Sequence, residues 1–464
     1  MIPSRSVSGT LSRLAARMDA LYEFDREPVR ESDLKPGRYF AGLFASEHVA
    51  ATEFVIGAFF VLHGVAFDDL LLGLLVGNLL AVLSWTFVCA PIAVDTRLTL
   101  YWYLRRIAGP GLTFVYNVAN GVLYCILAGA MIAVSATAVG LLFDVPAPGL
   151  EDVYPESVAW VLTTFAIGAV ITLFAILGFE KMSRLGGYCA PFVFLVFVLG
   201  AVLSFPKLGI ERDLSNFVDV ARGRIWNGVP TPGQEKFSFT HVAFFAWFCN
   251  LAMHVGLSDM ALFRYARSYR YGLYSALGMY LGHMLAWICS GVMVAAVGRA
   301  MNPGLMAYEA VGVAGALTVF VAGWTTANPT LYRAGLALQT VTPGWPRWKV
   351  TLAAGAVTTF FSSFPAVFVK LLDYVALYGL VLMPIGAIVL AEHWIFPKLG
   401  LLRYEAEMKR SLFHWKAALV WAGTLLACSI LPLHLYYRWL PGYFLALAGY
   451  LLLARRAVRA ENPA

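Results

Sequence analysis

Residues 311–335 read VGVAGALTVFVAGWTTANPTLYRAG, and they decide how the rest of the chain is read. The run is long and apolar enough for a membrane helix, which needs about 20 such residues. Its middle nevertheless carries Thr325, Thr326 and Asn328, followed by Pro329. Proline takes one donor out of the helical ladder. Inside hydrocarbon the freed carbonyl is tolerated only where it meets protein, water or a ligand. Two adjacent hydroxyls beside freed carbonyls form a small cage of hard oxygens, which suits an alkali cation. In the competing reading each threonine returns its hydroxyl to the carbonyl four residues back.

The flanking sequence is of the same kind. The 464 residues are 60% hydrophobic and 13% charged, which excludes a soluble globular surface. Apolar runs predict twelve spans, at 43–65, 69–92, 111–143, 157–178, 187–205, 239–257, 271–299, 311–335, 350–365, 368–391, 415–432 and 440–455. The expected fold is an all-α polytopic membrane protein. The formal net charge of +7 sits between spans, and the excess Lys and Arg fall on one side. Arg5, Arg13, Arg17, Arg97, Arg264, Arg333 and Arg347 belong to that side, whereas Lys207, Arg222, Arg299 and Lys370 lie on the other. The imbalance places both termini in the cytoplasm of a plasma (inner) membrane protein. The polar first 36 residues contain no signal peptide, so span one directs insertion. Cys89, Cys125, Cys189, Cys249, Cys289 and Cys428 lie in apolar segments without metal or disulfide spacing and read as small buried side chains. The chain has no P-loop, which disfavours an ATP-driven pump.

Polar residues interrupt four spans. Span one has Ser46-Glu47-His48 and Thr52-Glu53 around Ala50-Ala51; span three has Asn117 and Asn120. Span six has Asn250, His254 and Gly256, ending at Ser258-Asp259; span eight has the threonine pair. Spans one and six, and three and eight, are five apart, as in an inverted repeat with its site at the membrane midplane. Asn120 and Asn328 can read the edge of a polar heterocycle or join packed helices. Glu47 and His48 can couple a proton or form an internally paired patch. No second His or Cys stands at metal-ligand spacing from them. His254 and His283 read as packing histidines. Trp247 and Trp324, inside interrupted spans, can stack on a planar solute.

Several stretches resemble the nucleobase:cation symporter-1 family, the purine, cytosine, allantoin and hydantoin permeases. Leu21 to Val29 (LYEFDREPV) is similar to the family's entry motif. Trp324 to Leu336 resembles its cation and substrate helix, Ser258 to Arg267 its signature after span six, and Pro384 to Trp394 the end of span ten. The resemblance implies a five-plus-five inverted-repeat core with discontinuous helices one and six, plus two C-terminal helices. The segments would be an N-terminal 1–42, repeats 43–205 and 239–391 around an outer loop 206–238, and a C-terminal 392–464. By position, the cation, Na+ rather than H+, would be held by the Thr325 and Thr326 hydroxyls and the carbonyls of Ala322, Phe44 and Glu47. The solute would meet Glu47, His48, Asn120, Tyr124, Trp247, Asn250 and Asn328. The chain departs from the family by placing Asn120, Tyr124 and Cys125 where a Trp and an amide are common, and His48 where span one has an amide. A carboxylate at that place can select a basic solute or supply a proton. The expected activity is therefore cation-coupled uptake of a small nitrogen heterocycle by a monomer or weak oligomer, without organic cofactor or nucleic acid. The alternatives are a proton-coupled carrier of another polar or basic solute working through Glu47 and His48, a solute sensor on the same fold, and a membrane enzyme using that pair as acid and base on a lipid.

Overall fold

The computed structural model describes residues 22–148, 152–298, 302–364, 366–369 and 371–461. Arg5, Arg13, Arg17, Leu21, Arg299 and Lys370 lie outside them. The described chain is helical, with two isolated β-bridges, Lys35 to Ala266 and Ala66 to Asn227. Among the described residues, each predicted apolar run is mainly helical, with non-helical breaks in spans one and six. Six stretches are long and apolar enough to cross a membrane by themselves: Phe67–Thr96, Leu100–Leu142, Val158–Ile176, Phe179–Leu208, Tyr269–Val297 and Tyr374–Leu399.

Span one is split into α1 (Gly37–Glu47) and α2 (Glu53–Leu62). α3 (Phe67–Ser84) runs on through a π turn to Thr96. α4 (Leu100–Leu142) follows, and then α5 (Val158–Ile176) and α6 (Phe179–Leu208). Span six is also split, into α7 (Phe239–Phe248) and the single turn α8 (Leu251–His254). Beyond it the chain unwinds, and Leu257 takes a left-handed φ of 65°, an uncommon conformation for a branched residue. A wide turn (Leu277–Met284) leads into α9 (Leu285–Val297). Next come α10 (Pro303–Val311), the polar-interrupted α11 (Val313–Gln339), α12 (Arg347–Ser362) and α13 (Leu371–Leu390). α14 (Trp415–Ile430) and α15 (Leu435–Glu461) close the chain.

α11 packs along α4, α2 along α9 and α1 along α6. Small residues allow these close approaches: a Cβ on Gly57 of α2 would stand 1.8 Å from the Ser290 hydroxyl of α9. α4 is bent at Gly109 (φ 76°, ψ 163°), just before Pro110. The bend frees two backbone groups, and the 400–414 loop takes both. Gly111 N–H donates to the Leu412 carbonyl at 2.7 Å, and His414 N–H to the Ala108 carbonyl at 3.0 Å.

Candidate functional site

The site begins with an accounting problem at the end of α1. The last four carbonyls of a helix have no helical donor, and here that end lies inside the protein. His48 Nδ1 takes the Phe44 carbonyl at 3.1 Å. The Ser46 and Glu47 carbonyls meet the threonine pair of α11, Thr325 Oγ1 at 3.3 Å and Thr326 Oγ1 at 2.9 Å. The same hydroxyls also lie near their own helix, Thr325 at 3.0 Å from the Val321 carbonyl and 3.2 Å from that of Ala322, and Thr326 at 3.0 Å from Ala322. Four carbonyls thus converge on two hydroxyls. Each hydroxyl has one proton, so oxygen acceptors outnumber donors. The α1 carbonyls that meet the threonine hydroxyls are those of Ser46 and Glu47, while the Phe44 carbonyl, expected beside them from the sequence, meets the His48 ring.

Just beside it stands a buried ion triad. Arg333, on the Thr326 and Thr330 face of α11, reaches Glu47 Oε1 through Nη1 at 2.5 Å. Its Nη2 reaches Asp259 Oδ1 at 2.5 Å, and its Nε reaches the same oxygen at 2.9 Å. Trp85 Nε1 donates to Asp259 Oδ2 at 2.7 Å. All three ionic side chains are buried. This corrects the placement of Arg333 among the loop cations. Arg264 and Arg347 are buried as well. Arg264 donates to the Phe24 carbonyl at 2.6 Å and to the Tyr332 hydroxyl at 3.1 Å, and Arg347 caps α5 at the Ile176 carbonyl, 2.7 Å away. Glu47 therefore answers Arg333 rather than His48, and two carboxylates on one guanidinium leave the triad one formal negative charge in excess.

A cavity of about 60 Å³, room for a few waters, opens next to the cage. The helix break lines it with Glu47, His48, Thr52 and Glu53, and α11 adds Thr326 and Thr330. Asn250, His283 and Tyr378 come from the α7–α8 break, the wide turn and α13. His48 Nε2 and Asn250 Nδ2 are buried and make no hydrogen bond among the described residues, so two residues of the wall each keep a polar atom unspent.

The other expected solute contacts lie elsewhere. Trp247 donates to Ser84 Oγ at 3.0 Å and packs on Trp439, away from the cavity lining. Asn328 is about 200° around the helix from Thr326 at 100° per residue. In the amide orientation that satisfies it, Asn328 donates to the Ile171 carbonyl at 2.9 Å and accepts from Trp324 Nε1 at 3.0 Å. It joins α11 to α5, the packing role weighed in the sequence. Trp324 packs on Phe174. Asn120 is buried with Tyr116, and Tyr124 stands behind the cavity with its ring 4.9 Å from that of Tyr378. Sequence reasoning missed Arg333, Asp259, Glu53, His283 and Tyr378 as members of the site. The spacing of Thr326, Thr330 and Arg333, one helical face, was the available signal for the arginine.

A second polar knot forms around Glu23. Glu23 accepts from Phe179 N–H at 2.8 Å and from the Tyr332 hydroxyl, and Tyr265 donates to the Glu23 carbonyl at 3.0 Å. The N-terminal strap is thereby tied to α6, α11 and the segment after α8.

No family model and no curated protein matches the chain. Solved structures do. Mhp1, a nucleobase-cation-symport-1 family transporter, in a closed conformation with bromovinylhydantoin bound, superposes with a TM-score of 0.73 at 15% identity, over 96% of this chain and 97% of that one. Inward-facing Mhp1 gives 0.68 at 14% identity, over 93% of each chain. A Na+-coupled sialic acid symporter in a substrate-bound outward-open state gives 0.66 at 12% identity, over 97% of each. The chain is thus an integral membrane protein with the transporter fold that Mhp1 and the sialic acid symporter share.

Proposed function

We propose that the protein is a secondary active symporter of the nucleobase:cation symporter-1 type, importing a nucleobase or related small nitrogen heterocycle together with Na+ by alternating access. The observation that carries this reading is the surplus of oxygen acceptors where the broken end of α1 meets Thr325 and Thr326. Hard neutral oxygens gathered at a helix break suit a monovalent cation. The excess negative charge of the Glu47–Arg333–Asp259 triad, attached to the same residue whose carbonyl enters the cage, attracts it further. In this reading the twelve helices form a five-plus-five inverted repeat, with α1/α2 and α7/α8 as the discontinuous pair and both termini cytoplasmic. The solute is met by His48, Asn250 and Tyr378 once the cavity widens to admit it; the unspent His48 Nε2 can accept from a ring N–H, and the Asn250 amide can donate to a ring nitrogen or carbonyl.

The test is uptake of radiolabelled uracil, cytosine, hypoxanthine, allantoin and hydantoin into proteoliposomes, with and without an inward Na+ gradient. Sodium-stimulated uptake of one of them is expected. Binding of these compounds without uptake would replace the symporter by a sensor on the same fold.

A further inference from the structure

The Glu53 carboxylate is unlike the other buried acids of the cavity. Glu47 and Asp259 share the Arg333 guanidinium, but among the described residues no Lys or Arg pairs with Glu53. Its side chain is 3% exposed. It accepts from Trp287 Nε1 and from Thr52 Oγ1, the latter at 3.3 Å, both neutral donors. The titratable group facing it is His283, also nearly enclosed, with Nε2 3.8 Å from Glu53 Oε1.

We propose that Glu53 and His283 form a proton-binding site on the cavity wall, separate from the threonine cage. The Glu53 carboxylate receives neutral donors and faces an imidazole, so a proton is the countercharge within its reach, and the imidazole can pass one on. The pair is held in register. The Trp287 ring stacks on His283 at 4.6 Å and donates to Glu53 as well, while Ser290 Oγ ties the Glu53 carbonyl at 2.8 Å. Both residues line the cavity, so a cavity water can hand a proton to His283 Nε2, and a water spanning the 3.8 Å gap can carry it on to Glu53 Oε1. Release reverses these transfers, and no other bond forms or breaks. The remaining titratable groups around the pair are few. His48 stands 5.2 Å from His283, ring to ring. Cys249 lines the cavity from the α7–α8 break, Cys289 is the titratable residue of α9, and Tyr308 and Glu309 of α10 are exposed. Metal binding is not favoured, because no group of three His, Cys, Asp or Glu at ligating distance occurs among the described residues.

The role of such a proton in transport rests on the symporter reading; its binding does not. The first experiment therefore needs no solute. The full chain in zwitterionic liposomes is titrated from acid to alkaline pH by infrared difference spectroscopy. The wild type should show a protonated carboxyl band that titrates, and Glu53→Gln should remove one component of it. His283→Gln leaves the carboxylate in place and should move that component's midpoint by about one pH unit. A spectrum unchanged by Glu53→Gln, or, if that variant does not fold, a midpoint unmoved by His283→Gln, would overturn the site. The second experiment drives uptake of the nucleobase identified by the sodium assay with a pH gradient. Uptake with the pH gradient is divided by uptake without it at one fixed sodium gradient; Glu53→Gln is expected to bring this ratio to one whatever its absolute rate, and a ratio as high as that of the wild type overturns the coupling. If no nucleobase is taken up at all, the symporter reading falls while the infrared titration still decides the proton site.

Discussion

Arg333 on α11 and Glu47 at the broken end of α1 are 286 residues apart in the chain and meet in a buried ion pair at 2.5 Å. Asp259, from the unwound segment after α8, shares the same guanidinium. One side chain thus joins both broken helices to the helix that carries the threonine pair. An inverted-repeat transporter moves such elements against each other, so the triad links the geometry of the cage to the packing of the whole core.

Removing Arg333 leaves two buried carboxylates facing each other. Breaking a buried pair by deleting one partner costs about 3–5 kcal/mol. Arg333→Gln should therefore lower the thermal midpoint of the purified protein sharply, and adding Asp259→Asn should recover part of the loss, since an uncharged amide has no like-charge conflict with Glu47. Melting of the single and double variants in one detergent checks this. Equal midpoints for Arg333→Gln and wild type would show that the triad carries no stability.

The helices were legible in the sequence because a bilayer imposes one simple rule, a sustained apolar run. The breaks were less legible: polar groups interrupt spans one, three, six and eight alike, yet of these only spans one and six are broken, while α4 runs on through Asn117 and Asn120 and α11 through Thr325, Thr326 and Pro329. Side-chain partners were the least legible. Arg333 was counted among the loop cations because it falls near the end of the apolar run of span eight; only the helical phase shared with Thr326 and Thr330 shows that it points inward. The same phase argument turns Asn328 away. Trp247 and Glu53 depend on which neighbouring helix their face meets, and a period of 3.6 residues does not reveal that.

The 400–414 loop should respond to acid. Burial opposes the charged form of Glu405, but hydrogen bonds and charge from Lys416 and Lys409, with His414 nearby, outweigh it and hold the carboxyl below its usual range. Lys416 Nζ lies 2.6 Å from Glu405 Oε2. With the folded value depressed, the stabilisation is complete at neutral pH, starts to decline near the unfolded value of about 4.3, and is lost as pH falls through the folded one. Hydrogen exchange at Gly111 and across 400–414, corrected for intrinsic rates, should accelerate in that window. In Glu405→Gln the acid step should vanish; its persistence would assign the step to another group.

The strap over the residue-22 end should loosen when Glu23 loses its charge. Glu23→Gln keeps one acceptor oxygen but weakens the contacts to Phe179 N–H and Tyr332, and the 4.0 Å approach of Arg264. Hydrogen bonds to a charged group contribute about 1.5–3 kcal/mol. Loss of one should raise exchange at Phe179 and in residues 22–34 by about tenfold or more. Unchanged exchange at both places would separate the strap from α6.

Thr325 and Thr326 give the most direct test of the cation cage. Each hydroxyl faces one carbonyl of α1 and at least one of its own helix. If both ligate Na+, losing either removes one oxygen from a small coordination shell while the surrounding carbonyls remain. A net loss of about 1–2 kcal/mol in binding corresponds to roughly a tenfold rise in half-saturating sodium. Thr325→Ala and Thr326→Ala should each show it in proteoliposome uptake, whereas Thr326→Ser, which keeps the oxygen, should stay close to wild type. Because both threonines also bond within α11, an effect on folding alone would lower the number of active molecules and leave half-saturation where it was. A displaced half-saturation in the alanine variants, with the serine variant normal, is therefore the outcome that only ligation predicts.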